Sequence, residues 1–135
     1  MPDAQERSRR QAEPAGELAS RTLAMPADTN PMGDMFGGWI MSLMDAAGAM
    51  SAMREARGRV VTVAVSNITF HRPVKVGDEV SLYARVVGVG RSSIRVFVEA
   101  WRRTAMGQPS KVTSATFVFV AIGPDGRPRP VDPES

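Results

Sequence analysis

The run from Met35 to Met53, MFGGWIMSLMDAAGAMSAM, constrains this chain more than any other stretch. It is rich in Met, Ala and Leu and free of proline, so it predicts a helix despite Gly37, Gly38 and Gly48. Its apolar residues occupy every face, which implies a helix wrapped by protein, not one resting on a surface along a single stripe. A membrane span is the other structure such a run could form. Asp45 stands in its middle, and a carboxylate there costs about 3 kcal/mol at the centre of a membrane helix. No membrane insertion is therefore expected.

Such a helix needs something to wrap it. After REARGR the chain offers four runs rich in Val, Ile, Thr and aromatics, each bounded by Gly or Pro: Val60 to Phe70, Glu79 to Val87, Ser92 to Trp101 and Val112 to Ile122. A shorter run, Leu18 to Met25, precedes the helix. In Ser92 to Trp101 the residues Ile94, Val96, Val98 and Ala100 alternate with Ser93, Arg95, Phe97 and Glu99, so one strand face is apolar and suited to covering the helix. The connectors VKVGD, GVGR and AMGQPS are short, which favours an antiparallel meander over crossover helices. The expected class is α+β, in the order strand, long helix, four strands. One helix covers one face of the sheet, so the other face and the edges call for a dimer or larger assembly.

The chain of 135 residues suffices for one core. The domain is expected over residues 17–123. Residues 1–16 mix charge, Pro and Ala without apolar period, and residues 124–135 are Pro-rich and polar, so both are expected to be tails. The N-terminus lacks the apolar segment of a signal peptide, and the expected location is the cytoplasm.

Composition removes several chemistries. There is no cysteine, so thiolate nucleophiles, disulfides and Cys-based metal sites are excluded. With one histidine, His71, no zinc site is expected within one chain. The net charge of +3 attracts anions weakly, and the basic residues lack interleaved aromatics, so nucleic-acid binding is not expected. No Walker loop, dinucleotide fingerprint or Ser-His-Asp spacing is present.

What remains centres on Asp45, the one ionisable residue between Met35 and Met53. A carboxylate in apolar surroundings is costly unless bonded, paired or protonated. It is either a general base or nucleophile, or an acid that meets solvent or an arginine at a subunit boundary. Gly37 and Gly38 stand where a Pro/Gly-rich loop becomes the helix. They fit an oxyanion site of free N–H groups, and equally a place where crowding is relieved. Asp45 lies about 11 Å further along the helix, too far for one site within one chain. Two copies with antiparallel helices would bring Asp45 of one to the glycines of the other. Asn30 is either a donor to a carbonyl or a turn residue. Gly90, Arg91, Ser92 and Ser93 at a strand start suit phosphate contacts, as do Arg72 and Lys75, or form ordinary solvated turns.

The segment RTLAMPADTNPMGDMFGGWIMSLMDAAGAM resembles the bacterial hotdog-fold acyl-CoA thioesterases, in which a DTN stretch is followed by GD, GGW and then MD two turns on. The resemblance continues through GRVVTVAV, FHRPVKVGDEV, GRSSI, the VEAW run and TFVFVAIGPDGRPRPV, so it spans roughly residues 21–131. It implies the hotdog fold, one long central helix in a curved antiparallel sheet of about five strands, with dimers joined sheet to sheet and hexamers built as trimers of dimers. It implies hydrolysis of acyl-CoA to fatty acid and CoA, with no cofactor beyond that CoA. Asp45 matches the catalytic aspartate, while Asn30, Gly37 and Gly38 match the loop that polarises the thioester carbonyl. Arg91, Ser92 and Ser93 match the motif near the CoA nucleotide, and Arg72 and Lys75 fall in the neighbouring loop. A non-catalytic acyl-CoA-sensing module and an acyl-thioester hydratase are the alternatives on the same fold.

Overall fold

The computed structural model describes residues 13–132. Most of the expected N-terminal tail, residues 1–12, therefore lies outside the described residues. The elements are β1 (Glu17–Leu23), α1 (Gly37–Ala56), β2 (Val60–Val65), β3 (Glu79–Val89), β4 (Ser93–Arg103) and β5 (Ser110–Ala121), with a short 3-10 turn at Pro26–Asp28. The five strands form one antiparallel sheet in the order β1-β3-β4-β5-β2. Strand β3 to β5 is the expected meander. The expectation that short connectors continue it back to β2 is corrected. β2 pairs with β5, with Val60 opposite Ala121 and Val65 opposite Phe117, and so forms the far edge. Residues 66–78 make the return. Ser66 N–H donates to Thr116 O, His71 N–H to Val112 O, and Val74 O accepts from Met35 N–H. β2 also ends at Val65, not Phe70, because Ser66 onward leaves the ladder for this path.

The helix spans 20 residues, about 30 Å. Against the sheet it presents Ile40, Met44, Ala47, Gly48, Ala52 and Ala56, all buried. These positions follow the i, i+4, i+7, i+8 spacing of a single stripe. The sheet answers with the alternation read in β4: Ile94, Val96, Val98 and Ala100 are fully buried, beside Val80, Leu82 and Ala84 of β3 and Phe117 and Phe119 of β5. Gly48 permits the close crossing, since a Cβ there would stand 3.0 Å from the Phe119 ring and 3.2 Å from Val98.

The expectation of a helix wrapped on all sides does not hold for one chain. Met41 and Met53 are exposed, as are Val61, Val63 and Val65 on the bare edge of β2. One half of the apolar helix thus faces away from its own sheet. On the opposite face of the sheet Glu99 is buried. Its carboxylate accepts from Trp101 Nε1–H at 2.6 Å and lies 3.6 Å from Lys111 Nζ.

Residues 124–131, expected as a polar tail, are laid against the domain. Ile122 bridges to Pro128, Arg129 N–H donates to Ala121 O, and Val131 is buried. The ordered unit therefore reaches beyond residue 123. Among the described residues no helix is long and apolar enough to cross a membrane.

Candidate active site

Asp45 lies on the flank of α1, between fully buried Met44 and exposed Ala46. The flank faces β2, and Asp45 as a residue is half-buried, its carboxylate bond to β2 lying exposed. Thr62 Oγ1–H of β2 donates to Asp45 Oδ1 at 2.5 Å. Thr62 is the one hydrogen-bond partner of that carboxylate among the described residues, which leaves Oδ2 available to a water or a substrate. A charge-assisted bond of this kind aims the carboxylate and limits its rotation. Thr62 escaped the sequence reading because a threonine in VVTVAV is an ordinary strand former. Replacing Thr62 with Val is expected to lower kcat about tenfold with KM changed less than twofold, and Thr62→Ser to restore it. Steady-state kinetics of the two variants check this.

Asn30 sits in the loop between β1 and α1. Its Oδ1 accepts from Met32 N–H at 2.9 Å and Asp34 N–H at 3.1 Å, its backbone N–H donates to Asp34 O, and its O accepts from Gly33 N–H. It is thus a turn residue. The same bonds fix its side chain and leave the Nδ2 amide as its remaining donor, so the two sequence readings coexist. Met35 N–H donates to Val74 O and Phe36 N–H to Asp28 O, which ties the loop to the start of the helix.

α1 begins at Gly37 after Phe36, which makes no side-chain cap. The first helical N–H groups are therefore unclaimed by a cap, and they carry the positive end of the helix dipole. Gly38 opens to free space, with nothing within 4 Å of where a Cβ would stand, whereas a Cβ at Gly37 would meet Phe70 at 3.2 Å. A ligand atom can reach this backbone. Seven residues of unbroken helix, about 11 Å, separate Gly38 from Asp45. One chain does not bring them together.

The residues expected near CoA fall into two groups. Arg72 Nη1–H donates to Lys111 O at 2.6 Å, and Lys75 Nζ pairs with Asp34 Oδ1 at 2.8 Å, both near the helix start. Lys75 thereby braces the loop that holds Asn30. Arg91, Ser92 and Ser93 form the β3–β4 turn at the other end, where Ser93 pairs with Val120. His71 is bonded to Val112, and the eight residues from Val112 to Val120 put the two ends roughly 27 Å apart. Among the described residues no group of His, Cys, Asp and Glu is placed to hold a metal ion.

A long helix crossing an open antiparallel sheet, with a carboxylate on the helix and free N–H groups at its start, defines a class that sequence and structural likeness identify independently. Residues 32–119 match the family model of the thioesterase superfamily, and the chain belongs to that family. It is similar to the acyl-CoA thioester hydrolase YciA of Salmonella typhimurium, with 55% identity over 122 residues covering 87% of this chain and 92% of the relative. The crystal structure of the hexameric thioesterase y2039 from Yersinia pestis matches with a TM-score of 0.86 and 52% identity, over 89% of this chain and 98% of that one. Cj0915, a hexameric hotdog fold thioesterase of Campylobacter jejuni, matches at 0.80 and 43%, over 88% and 92%. The architecture is the hotdog fold that the sequence resemblance implied.

Proposed function

We propose that this protein hydrolyses acyl-CoA thioesters to free fatty acid and CoA, in the cytoplasm, at a site completed by two copies of the chain and with no cofactor beyond the CoA of the substrate. The observation that carries this reading is the Asp45 carboxylate, held by Thr62 beside the bare edge of β2. The names of the relatives support the substrate class.

Pairing of two β2 edges in antiparallel fashion extends the sheet and covers Val61, Val63 and Val65. It also sets the helix start of one copy alongside the middle of the partner helix. Asp45 then shares a site with the partner copy's glycine turn. Asp45 takes a proton from water as the water oxygen attacks the thioester carbonyl carbon. The oxyanion that forms is held by the Gly37 and Gly38 N–H groups and the Asn30 amide. The C–S bond then breaks and the CoA thiolate leaves, taking up a proton. The alternative order, attack by Asp45 itself to give an anhydride that water opens, uses the same groups. Antiparallel pairing also places the Arg91–Ser93 turn of one copy at the same end as Arg72 and Lys75 of its partner. These residues then flank one CoA, with the exposed Arg91 facing its phosphates. Three such dimers make a hexamer, and y2039 and Cj0915 are hexameric.

A hydratase would need a histidine near Asp45. Within one chain His71, anchored at Val112, lies roughly 23 Å from Thr62, the partner of Asp45; a second copy brings its own His71 with its helix start, so activity separates the two readings. Release of free CoA thiol from a panel of acyl-CoAs, followed with a thiol-reactive chromophore, tests the proposal. Turnover supports hydrolysis. Binding of acyl-CoA without thiol release would identify a sensing module instead, and loss of an enoyl chromophore without thiol release would identify a hydratase.

A further inference from the structure

The C-terminal stretch GPDGRPRPV is polar and proline-rich, yet it is held by a dense set of bonds. Gly126 N–H donates to Gly123 O, Gly123 N–H to Arg127 O, and Asp125 Oδ1 accepts from Arg127 N–H, so the chain reverses with Gly126 at φ +78°. Pro128 and Pro130 flank Arg129, and a residue before proline is biased to extended backbone. Arg129 N–H accordingly donates to Ala121 O as if continuing the sheet.

The Arg129 guanidinium spans three carbonyls. Nη2–H donates to Ala56 O at 2.7 Å, Nη1–H to Pro130 O at 2.9 Å and Nε–H to Ile122 O at 3.3 Å. Ala56 is the last residue of α1, where carbonyls lack helical partners and the dipole favours a cation. A Cβ at residue 58 would lie 2.6 Å from Nη2, so Gly58 keeps the space for this group. Two residues on, buried Val131 donates its N–H to Arg91 O at 2.7 Å, while Ser92 O accepts from Ala121 N–H. The backbone of the Arg91–Ser93 turn is thus tied to the helix end through this strap.

We infer that Arg129 is a positioning residue for the CoA nucleotide: by clamping the strap to the end of α1 it sets the backbone of the Arg91–Ser93 turn, and with it the Arg91 side chain. This inference rests on the reading of that turn as the nucleotide contact. An arginine that only added stability would affect all thioester substrates alike. A positioning residue acts on the part of the substrate that the turn holds.

The test compares an acyl-CoA with the matching acyl-pantetheine, which carries the same thioester without the nucleotide, for Arg129→Met, Gly58→Ala and Arg91→Ala. Gly58→Ala displaces the guanidinium without removing its charge, and so stands in if Arg129→Met does not fold. Arg129→Met and Gly58→Ala are each expected to raise KM for acyl-CoA about tenfold with kcat within about twofold. The kcat/KM for acyl-pantetheine is expected to stay unchanged. Combining Arg129→Met with Arg91→Ala should add little to Arg91→Ala alone, because both act through one turn. Equal losses on both substrates, or no loss on either while Arg91→Ala raises KM for acyl-CoA, overturn the positioning role. If Arg91→Ala leaves the two substrates equally used, the nucleotide reading of the turn fails, and the inference fails with it.

Discussion

Asp45→Asn is expected to lower kcat/KM for acyl-CoA by about three orders of magnitude, the range typical of losing a general base. The change keeps the size of the side chain, and an amide oxygen can still accept from Thr62 Oγ1–H. The melting temperature should therefore move by no more than a few degrees and acyl-CoA binding should persist. Thiol release at substrate concentrations well below KM measures the first effect, and equilibrium binding with the inactive variant measures the second. An Asp45→Asn protein with more than about a tenth of the normal rate would show that water is activated elsewhere. The size of the effect follows from scarcity. Asp45 is the one ionisable side chain on the stretch from Met35 to Met53, so no neighbouring acid or base on the helix can take over.

Changing Val61 and Val63 together to Lys is expected to give monomers and to cut hydrolysis a hundredfold or more. Both side chains lie exposed on β2, one of the two edge strands of the sheet. In an antiparallel pair of β2 strands the new charges of the two copies would face one another, and like charges across strands oppose pairing. The magnitude follows from the separation between Asp45 and Gly38 along one helix. A monomer keeps the base but loses the oxyanion donors that a partner supplies, and losing even one such donor costs a hundredfold or more. Sedimentation and thiol release on the same samples check the two halves of this expectation. A monomeric double variant at full activity would falsify the shared site.

The parts of this protein that were legible in its sequence are those set by local pattern. Helix propensity and the lack of proline located α1, although its last turn runs on to Ala56 through Arg54 and Glu55, polar residues that an apolar criterion passes over. The alternation Ile94, Val96, Val98, Ala100 picked out the strand face that covers the helix, and all four are fully buried. Asp45 stood out because a lone carboxylate among Met and Ala needs a physical reason to be there.

Other features depended on residues far apart in the chain. Thr62 reads as a strand former, and only the packing of β2 against α1 turns its hydroxyl toward Asp45, 17 positions earlier. The GPDGRPRPV segment has the composition of a tail, yet Arg129 finds Ala56 O, 73 positions away. Lys75 reads as a phosphate contact or a solvated turn residue, and the meeting of two loops pairs its charge with Asp34. β2 could have joined β3 by connector length alone, but residues 66–78 pass the helix start and carry the pairing over to β5.

By itself the sequence determined the apolar helix, the strand runs and the acid placed at the helix centre, because helical and strand periodicity and the cost of an isolated charge act over a few neighbouring residues. The tertiary fold settled which two strands lie at the edges, which hydroxyl holds the acid and which arginine clamps the chain end. Those outcomes arise from hydrogen bonds and packing between distant segments, and the periodicity of one segment carries no information about the other.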